Sequence, residues 1–305
     1  YQPQPDELAA ILFTSGSTGP PKGVCYHHRQ FSAQLKALKA SLDIRPGEVD
    51  LTLLPIFALF NPALGMTSVI AEIDPSRPAT VDPAKICQAI RLSGVTNSFG
   101  SPVLWRKILD DPRTRPGDLT SLRRVLMAGA PVPVNLVERC RGNLNGGEVY
   151  TPFGATECLP LTLPAGSLIV AQKTRSENGA GTCVGISLPG TQIRIVEIVD
   201  GPIANLGDVQ TLKPGCIGEI IASGEVVTTS YDALPEATQR AKIRDGERIW
   251  HRLGDAGYFD DNGLLWFCGR LEHRVHLGET TLYPICCEVI FNAHPAVRRS
   301  ALIGL

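Results

Sequence analysis

The sequence predicts an α/β fold: a mostly parallel sheet with flanking helices, followed by a small β-barrel-like part. Three observations carry this. Up to residue 131, short apolar runs alternate with segments whose apolar residues recur at helical spacing, as in strands joined by crossover helices. From residue 192 to 224 the pattern turns to strand-like alternation rich in glycine. Between the first strand and the first helix lies a loop of glycines and hydroxyls, TSGSTGPPKG at residues 14–23.

Composition sets the outer limits. A chain of 305 residues with 43% apolar composition can bury one large core or two smaller ones. A formal charge of −1 and the lack of Lys/Arg runs argue against nucleic acid as the main partner. Nine cysteines occur without a CxxC pair, and Cys286-Cys287 are adjacent, so they read as buried thiols of a reducing compartment and a cytoplasmic location is expected. Residues 51–71 carry no charge and are long enough to span a bilayer, but Pro55 and Asn61-Pro62 break them, so no transmembrane span is expected. The chain opens on Tyr1, its loop follows after thirteen residues, and residues 300–305 stop inside a strand-like run. A fragment of a longer chain is therefore expected.

Taken in order, residues 9–13 form an apolar strand. The loop after it places the hydroxyls of Ser15, Ser17 and Thr18 among Gly16 and Gly19, whose missing Cβ lets backbone N–H groups approach an anion, with Lys22 at the rim. Pro20 and Pro21 stiffen the exit. A Walker loop needs GxxxxGK[ST]; here Pro20 and Pro21 follow Gly16 at the fourth and fifth places and Lys22 precedes Gly23, so that class is excluded. Phe31, Leu35, Leu38 and Leu42 then mark a helix packed on a sheet, starting after His27-His28. Adjacent histidines share no helix face, which assigns this pair to capping or solvent positions. Residues 57–65 read equally, from composition, as core or as the wall of a greasy pocket.

A helix at 83–90, a strand at 95–99, a helix at 102–109 and a strand at 124–127 continue the alternation, the last ending at Gly129-Ala130-Pro131. Ligands bind such sheets at the carboxyl ends of strands. Residues 168–190, rich in Gly, Ser and Thr, read as mobile up to Val184, and strands follow at 192–199 and 218–224.

TSGSTGPPKG at 14–23, YTPFGATE at 150–157, RLGDAGY at 252–258 and LWFCGR at 265–270, in this order, resemble the motifs of the adenylate-forming superfamily of acyl-CoA synthetases, luciferases and nonribosomal-peptide adenylation domains. The resemblance covers residues 6–305. It implies the adenylate-forming enzyme fold, with residues 1–272 in the large N-terminal adenylation domain and 273–305 as the hinge and start of a small α+β C-terminal domain. It implies ATP and Mg²⁺ as cofactors. Thr14, Ser15, Gly16, Ser17, Thr18, Gly19 and Lys22 would grip phosphate, and Gly129, Ala130 and Pro131 would lie against adenine. Phe153 and Gly154 would form the stacking loop, Thr156 would reach the α-phosphate, and Glu157 would hold the metal. Asp255 would accept the ribose hydroxyls and Arg270 would bond ribose or phosphate. Catalytic roles fall on Thr156, Glu157 and Lys22.

The sequence departs from the superfamily in places. Phe153 stands for the usual Tyr and Leu253 for the usual Thr, His273 occupies the hinge position, and His276 replaces a common Lys. The lysine that relatives carry near their far end has no counterpart. The His of many acid-activating relatives is also missing, leaving Phe57, Phe60 and Asn61 to wall an acyl pocket. Within the superfamily, residues 55–65, 150–160, 179–185 and 265–270 resemble the β-lactone synthetases of bacterial long-chain olefin biosynthesis. That resemblance implies activation of a long-chain β-hydroxy acid, a 2-alkyl-3-hydroxy fatty acid, as its acyl-adenylate, followed by closure to a β-lactone. It also implies assembly with other olefin-pathway enzymes. A long-chain acyl-CoA ligase and a non-catalytic nucleotide- or acyl-binding module stay open as alternatives.

Overall fold

A computed structural model describes residues 2–14, 20–74, 77 and 80–304, without the side chains of residues 55–57 and 116. The apolar run ahead of the loop forms β1 (Leu8–Phe13), antiparallel to β2 (Gly23–His27), with Phe13 opposite Gly23 and Leu12 opposite Val24. A Cβ on Gly23 would stand 2.8 Å from Ile11 Cγ2, so only glycine permits this close approach. A helix follows at His28–Leu42. Its apolar residues Phe31, Leu35 and Leu38 are half-buried, whereas Gln30, Ala33 and Gln34 are buried. Their amides reach distant main-chain carbonyls: Gln30 accepts from the N–H of His27 (2.9 Å) and donates to Val227 O (3.3 Å), and Gln34 donates to Leu159 O (2.7 Å) while its Oε1 meets no donor among the described residues.

The chain divides into two compact units, one of Tyr1–Ala37, Phe153–Thr162 and Gln172–Leu305, the other of Leu38–Pro152 and Leu163–Ala171. The second unit holds the parallel sheet. Its strands β3 (Val49–Thr52), β4 (Thr67–Val69), β5 (Asn97–Gly100), β6 (Arg124–Met127) and β7 (Glu148–Tyr150) lie in the order β4-β3-β5-β6-β7, every pair parallel. Parallel neighbours need crossovers, and helices Pro83–Ser93, Pro102–Asp110 and Val134–Asn143 supply them. The first two start on side-chain caps followed by proline: Asp82 accepts from Ala84 N (3.1 Å) and Ser101 from Leu104 N (3.4 Å). Their inner faces bury Ile86, Ile90, Leu104, Trp105 and Ile108 against Leu51, Val125, Met127 and Val149 of the sheet. The uncharged stretch 51–71 is broken into β3, a 3₁₀ turn at Pro55–Phe60, a helical turn at Asn61–Leu64 and β4. Among the described residues no helix is long and apolar enough to cross a membrane.

In the first unit, β8 (Phe153–Ala155) and β9 (Cys158–Thr162) form a tight antiparallel hairpin. Beyond it come β10 (Thr182–Gly185), β11 (Thr191–Val196), β12 (Gly218–Gly224), β13 (Lys242–Asp245), β14 (Arg248–Phe259) and β15 (Leu265–Arg270). These run in the order β10-β15-β14-β12-β11, with β13 added on β14, and all pairs are antiparallel. Register shifts between Glu219 and Ile221 and between Ala256 and Gly257 let the sheet curl. The curled sheet buries Cys158, Leu161, Val184, Ile195, Ile220, Leu253 and Leu265. A two-stranded ribbon, β16 (Val275–Leu277) with β17 (Thr280–Leu282), and a helix at Pro284–Asn292 end the unit.

The expectation of a mobile run from residue 168 up to Val184 is corrected. Helical segments at Gly166–Ala171, Lys173–Arg175 and Ser176–Ala180 lead directly into β10. Arg175 holds them in place: it donates to Asp260 Oδ2 (2.7 Å) and lies 4.4 Å over the Trp266 ring, while the Tyr258 hydroxyl donates to Ala180 O (3.0 Å).

Trp105 tests the core of the parallel-sheet unit. It is fully buried, and its indole N–H meets no acceptor among the described residues. In urea unfolding, Trp105→Ala is expected to lose about 3–5 kcal/mol. Trp105→Phe should lose clearly less, because it gives up a donor that is already unpaired.

Candidate active site

The curled sheet brings Asp255 of β14 directly opposite Arg270 of β15. Gly254, at φ +68, turns the strand just ahead of the carboxylate, and Leu253, where relatives commonly carry Thr, points into the core. Asp255 is only 5% exposed. Arg270 Nη1 stands 2.9 Å from Asp255 Oδ1 as an ion pair and also donates to Leu253 O (3.1 Å), so its hydrogen bond to Oδ1 is poorly aligned. Burial pushes the Asp255 carboxyl up to about 7 against the pull of Arg270, with smaller upward contributions from Glu219 and Glu157. A buried carboxylate with acceptor capacity left over beside a guanidinium suits a pair of ligand hydroxyls.

Thr156 and Glu157 form the turn between β8 and β9. Gly154 shapes that turn: at φ +154, a Cβ there would lie 2.4 Å from Cys158 O. Glu157 is 8% exposed. Its Oε1 accepts from the Tyr231 hydroxyl (2.5 Å), its Oε2 lies 4.0 Å from His251 Nε2, and its main-chain carbonyl accepts from Thr228 N (2.9 Å) and Oγ1 (3.2 Å). The carbonyl of Thr156 accepts from the Tyr26 hydroxyl. Phe153 is half-buried, its ring centroid 5.8 Å from that of Phe267.

At the mouth of the phosphate loop, Thr14 N donates to Lys22 O (3.0 Å) and Lys22 N to Thr14 Oγ1 (3.2 Å), which clamps the two ends together. Lys22 Nζ sits 5.3 Å from the centroid of Tyr231, the tyrosine that binds Glu157. Ser15, Gly16, Ser17, Thr18 and Gly19 lie outside the described residues, as does the side chain of Phe57. The first unit therefore gathers Thr14, Lys22, Phe153, Gly154, Thr156, Glu157, Asp255 and Arg270.

Gly129, Ala130 and Pro131 belong to the other unit, where they follow the carboxyl end of β6. Phe60 and Asn61 are also in that unit. Phe60 is half-buried, and Asn61 is buried with its amide donating to Asp50 Oδ2 (2.9 Å) and Ser68 Oγ (2.9 Å). The amide nitrogen of Asn61 is thus engaged within the sheet edge.

Sequence reasoning gave no role to Tyr26, Thr228, Tyr231, Lys242 or His251. Alternating polarity marks none of them, because each is a polar group buried beside Glu157. Among the described residues no three His, Cys, Asp or Glu side chains are grouped to hold a metal. A single carboxylate such as Glu157 suits Mg²⁺, which commonly binds one or two carboxylates together with substrate phosphates and water.

A family model described as AMP-binding enzyme matches residues 1–232. The olefin beta-lactone synthetase of Xanthomonas campestris pv. campestris is 48% identical over 98% of this chain and 54% of its own length. That of Stenotrophomonas maltophilia is 45% identical over 98% of this chain and 55% of its own. The chain thus spans about half the length of these curated relatives. The structure of O-succinylbenzoate coenzyme A synthetase from Bacillus subtilis in complex with ATP and magnesium ion superposes with a TM-score of 0.77. That enzyme is 26% identical, and the match covers 98% of this chain and 57% of that one.

The raised Asp255 carboxyl has a sign that can be checked. The native state holds a proton that the unfolded chain releases above its ordinary value of 3.8, so the contribution of Asp255 to stability is present in acid and lost as pH rises toward about 7. Asp255→Asn should therefore gain on the wild type by roughly 2–3 kcal/mol between pH 5 and pH 8, at about 1.4 kcal/mol per pH unit, in unfolding experiments on the full-length protein.

Proposed function

Since the chain belongs to the AMP-binding enzyme family, we propose that the whole protein activates a 2-alkyl-3-hydroxy fatty acid with ATP and then closes it to a β-lactone. The observation that carries the nucleotide half of this reading is the buried carboxylate of Asp255 set directly against Arg270, with Oδ1 left without a well-aligned donor. The choice of acid rests on the two relatives named olefin beta-lactone synthetase.

In this reading Asp255 accepts both ribose hydroxyls and Arg270 reaches ribose or phosphate. Phe153 stacks on the adenine, and Thr14, Lys22 and the loop between them bind the phosphates. The acid carboxylate attacks the α-phosphorus and pyrophosphate leaves; Thr156 and Lys22 stabilise charge on the phosphate oxygens as it develops. Mg²⁺, when bound at Glu157, supplies electrostatic neutralisation of the phosphates. The 3-hydroxyl then attacks the activated acyl carbon, forming the C–O bond of the four-membered ring and breaking the acyl–phosphate bond, so that AMP departs. Attack within one molecule removes the entropic cost of bringing in a second reactant. Residues 57–61 line the acyl path, residues 273–305 open the mobile C-terminal domain, and other olefin-pathway enzymes are the partners.

The test is to incubate full-length protein with ATP, Mg²⁺ and a 2-alkyl-3-hydroxy fatty acid, with and without CoA, and to identify the product by NMR. A β-lactone formed without CoA is expected, whereas a thioester formed only with CoA makes the protein a ligase. In the same assay Glu157→Gln should release pyrophosphate about 10²-fold more slowly.

A further inference from the structure

Behind Glu157 the first unit buries a lysine. Lys242 opens β13 opposite His251 of β14 and is 7% exposed. Its Nζ donates to Thr228 O (2.6 Å) and lies 3.4 Å from Thr228 Oγ1. Among the described residues it forms no ion pair with a carboxylate. Glu157 is equally without a Lys or Arg partner there; its carboxylate has the Tyr231 hydroxyl and, at 4.0 Å, His251. His251 sits opposite Lys242 on the neighbouring strand, on the side of Glu157 away from the Tyr231 contact on Oε1.

Two opposite charges are therefore buried near one another without touching. Each alone would carry a desolvation cost of several kcal/mol. One residue links them: Thr228 receives Lys242 on its carbonyl and hydroxyl, and gives its N–H and hydroxyl to the Glu157 carbonyl at 2.9 and 3.2 Å. Burial pushes Lys242 down to about 8, while Cys158 and Glu157 pull it upward, so it is still mostly charged at neutral pH.

We infer that Lys242 is a positioning residue for Glu157: through Thr228 it fixes the main chain of the hairpin turn and balances the carboxylate charge without occupying the carboxylate oxygens. A direct salt bridge would close those oxygens to a cation, whereas this arrangement balances the charge and leaves Oε2 clear of the ammonium. The inference rests on the proposed reading of Glu157 as a working carboxylate.

The experiment is a double-mutant cycle in the full-length protein, with Lys242→Met, Glu157→Gln and their combination, read by urea unfolding and by pyrophosphate release. Lys242→Met should slow pyrophosphate release at least about tenfold, the loss expected when a charged hydrogen-bonded group is removed. In unfolding, the double variant should be clearly less destabilised than the sum of the singles, because neutralising both charges leaves neither stranded. A single Lys242→Met that fails to fold while the double folds supports the inference in the same way. Additive destabilisation, wild-type pyrophosphate release by Lys242→Met, or failure of both single and double to fold overturns it. Full activity of Glu157→Gln with the stability coupling intact would remove the function given to Glu157 and leave its pairing with Lys242 standing.

Discussion

The pairing of β14 with β15 sets Asp255 against Arg270, and the rest of the candidate site depends on that register. A slip by one residue would turn Asp255 to the other face of the sheet and send Leu253 out of the core. The register shift at Ala256 and Gly257 guards against it. Gly257 has Trp266 O only 2.5 Å from where a Cβ would stand, so glycine alone lets β15 approach at that point. The same strand, β14, also pairs with β12 and carries β13, and this places His251 and Lys242 beside the hairpin turn that bears Glu157. One long strand thus orders the carboxylates of Asp255 and Glu157 together.

Charge in this unit is buried with its partners held slightly off line. Arg270 neighbours Asp255 while hydrogen-bonding a carbonyl, and Lys242 neighbours Glu157 through a threonine. Closed salt bridges do occur in the same fold: Arg252 grips Glu219 through two nitrogens, and Arg175 grips Asp260. Those closed pairs tie strands and turns. The open pairs fall on the residues whose oxygens a nucleotide or metal would use, which is where a satisfied carboxylate would be of no use.

Much of this was legible in the sequence. Residues 124–127 and 218–224 were read as strands at their actual bounds, because apolar β-branched runs between turn residues leave no competing pattern. The resemblance of residues 252–258 and 265–270 to the superfamily's motifs put Asp255 and Arg270 in one site. The helix at His28–Leu42 was found, with Leu42 buried and Phe31 packed on a core cluster as its stripe requires, but Gln30 and Gln34 were missed from the buried face, since they are polar by type and backbone carbonyls far along the chain accept their amides. The helix at Val134–Asn143 was passed over: its three buried residues, Leu136, Val137 and Cys140, sit among charged and glycine positions. Residues from 168 up to Val184 read as mobile by composition, and only the distant Asp260 and Trp266 give Arg175 its anchor. Lys242 carried no signal, because a strand lysine ordinarily reads as an exposed one.

The most direct test of the account is calorimetric binding of AMP to full-length protein without added metal, comparing wild type with Asp255→Asn and Glu157→Gln. If Asp255 holds ribose and Glu157 acts only toward a cation, Asp255→Asn should weaken AMP binding at least about tenfold, the worth of a charged hydrogen bond, while Glu157→Gln binds as the wild type does. Equal binding by wild type and Asp255→Asn would contradict the assignment of the nucleotide to the β14–β15 pair.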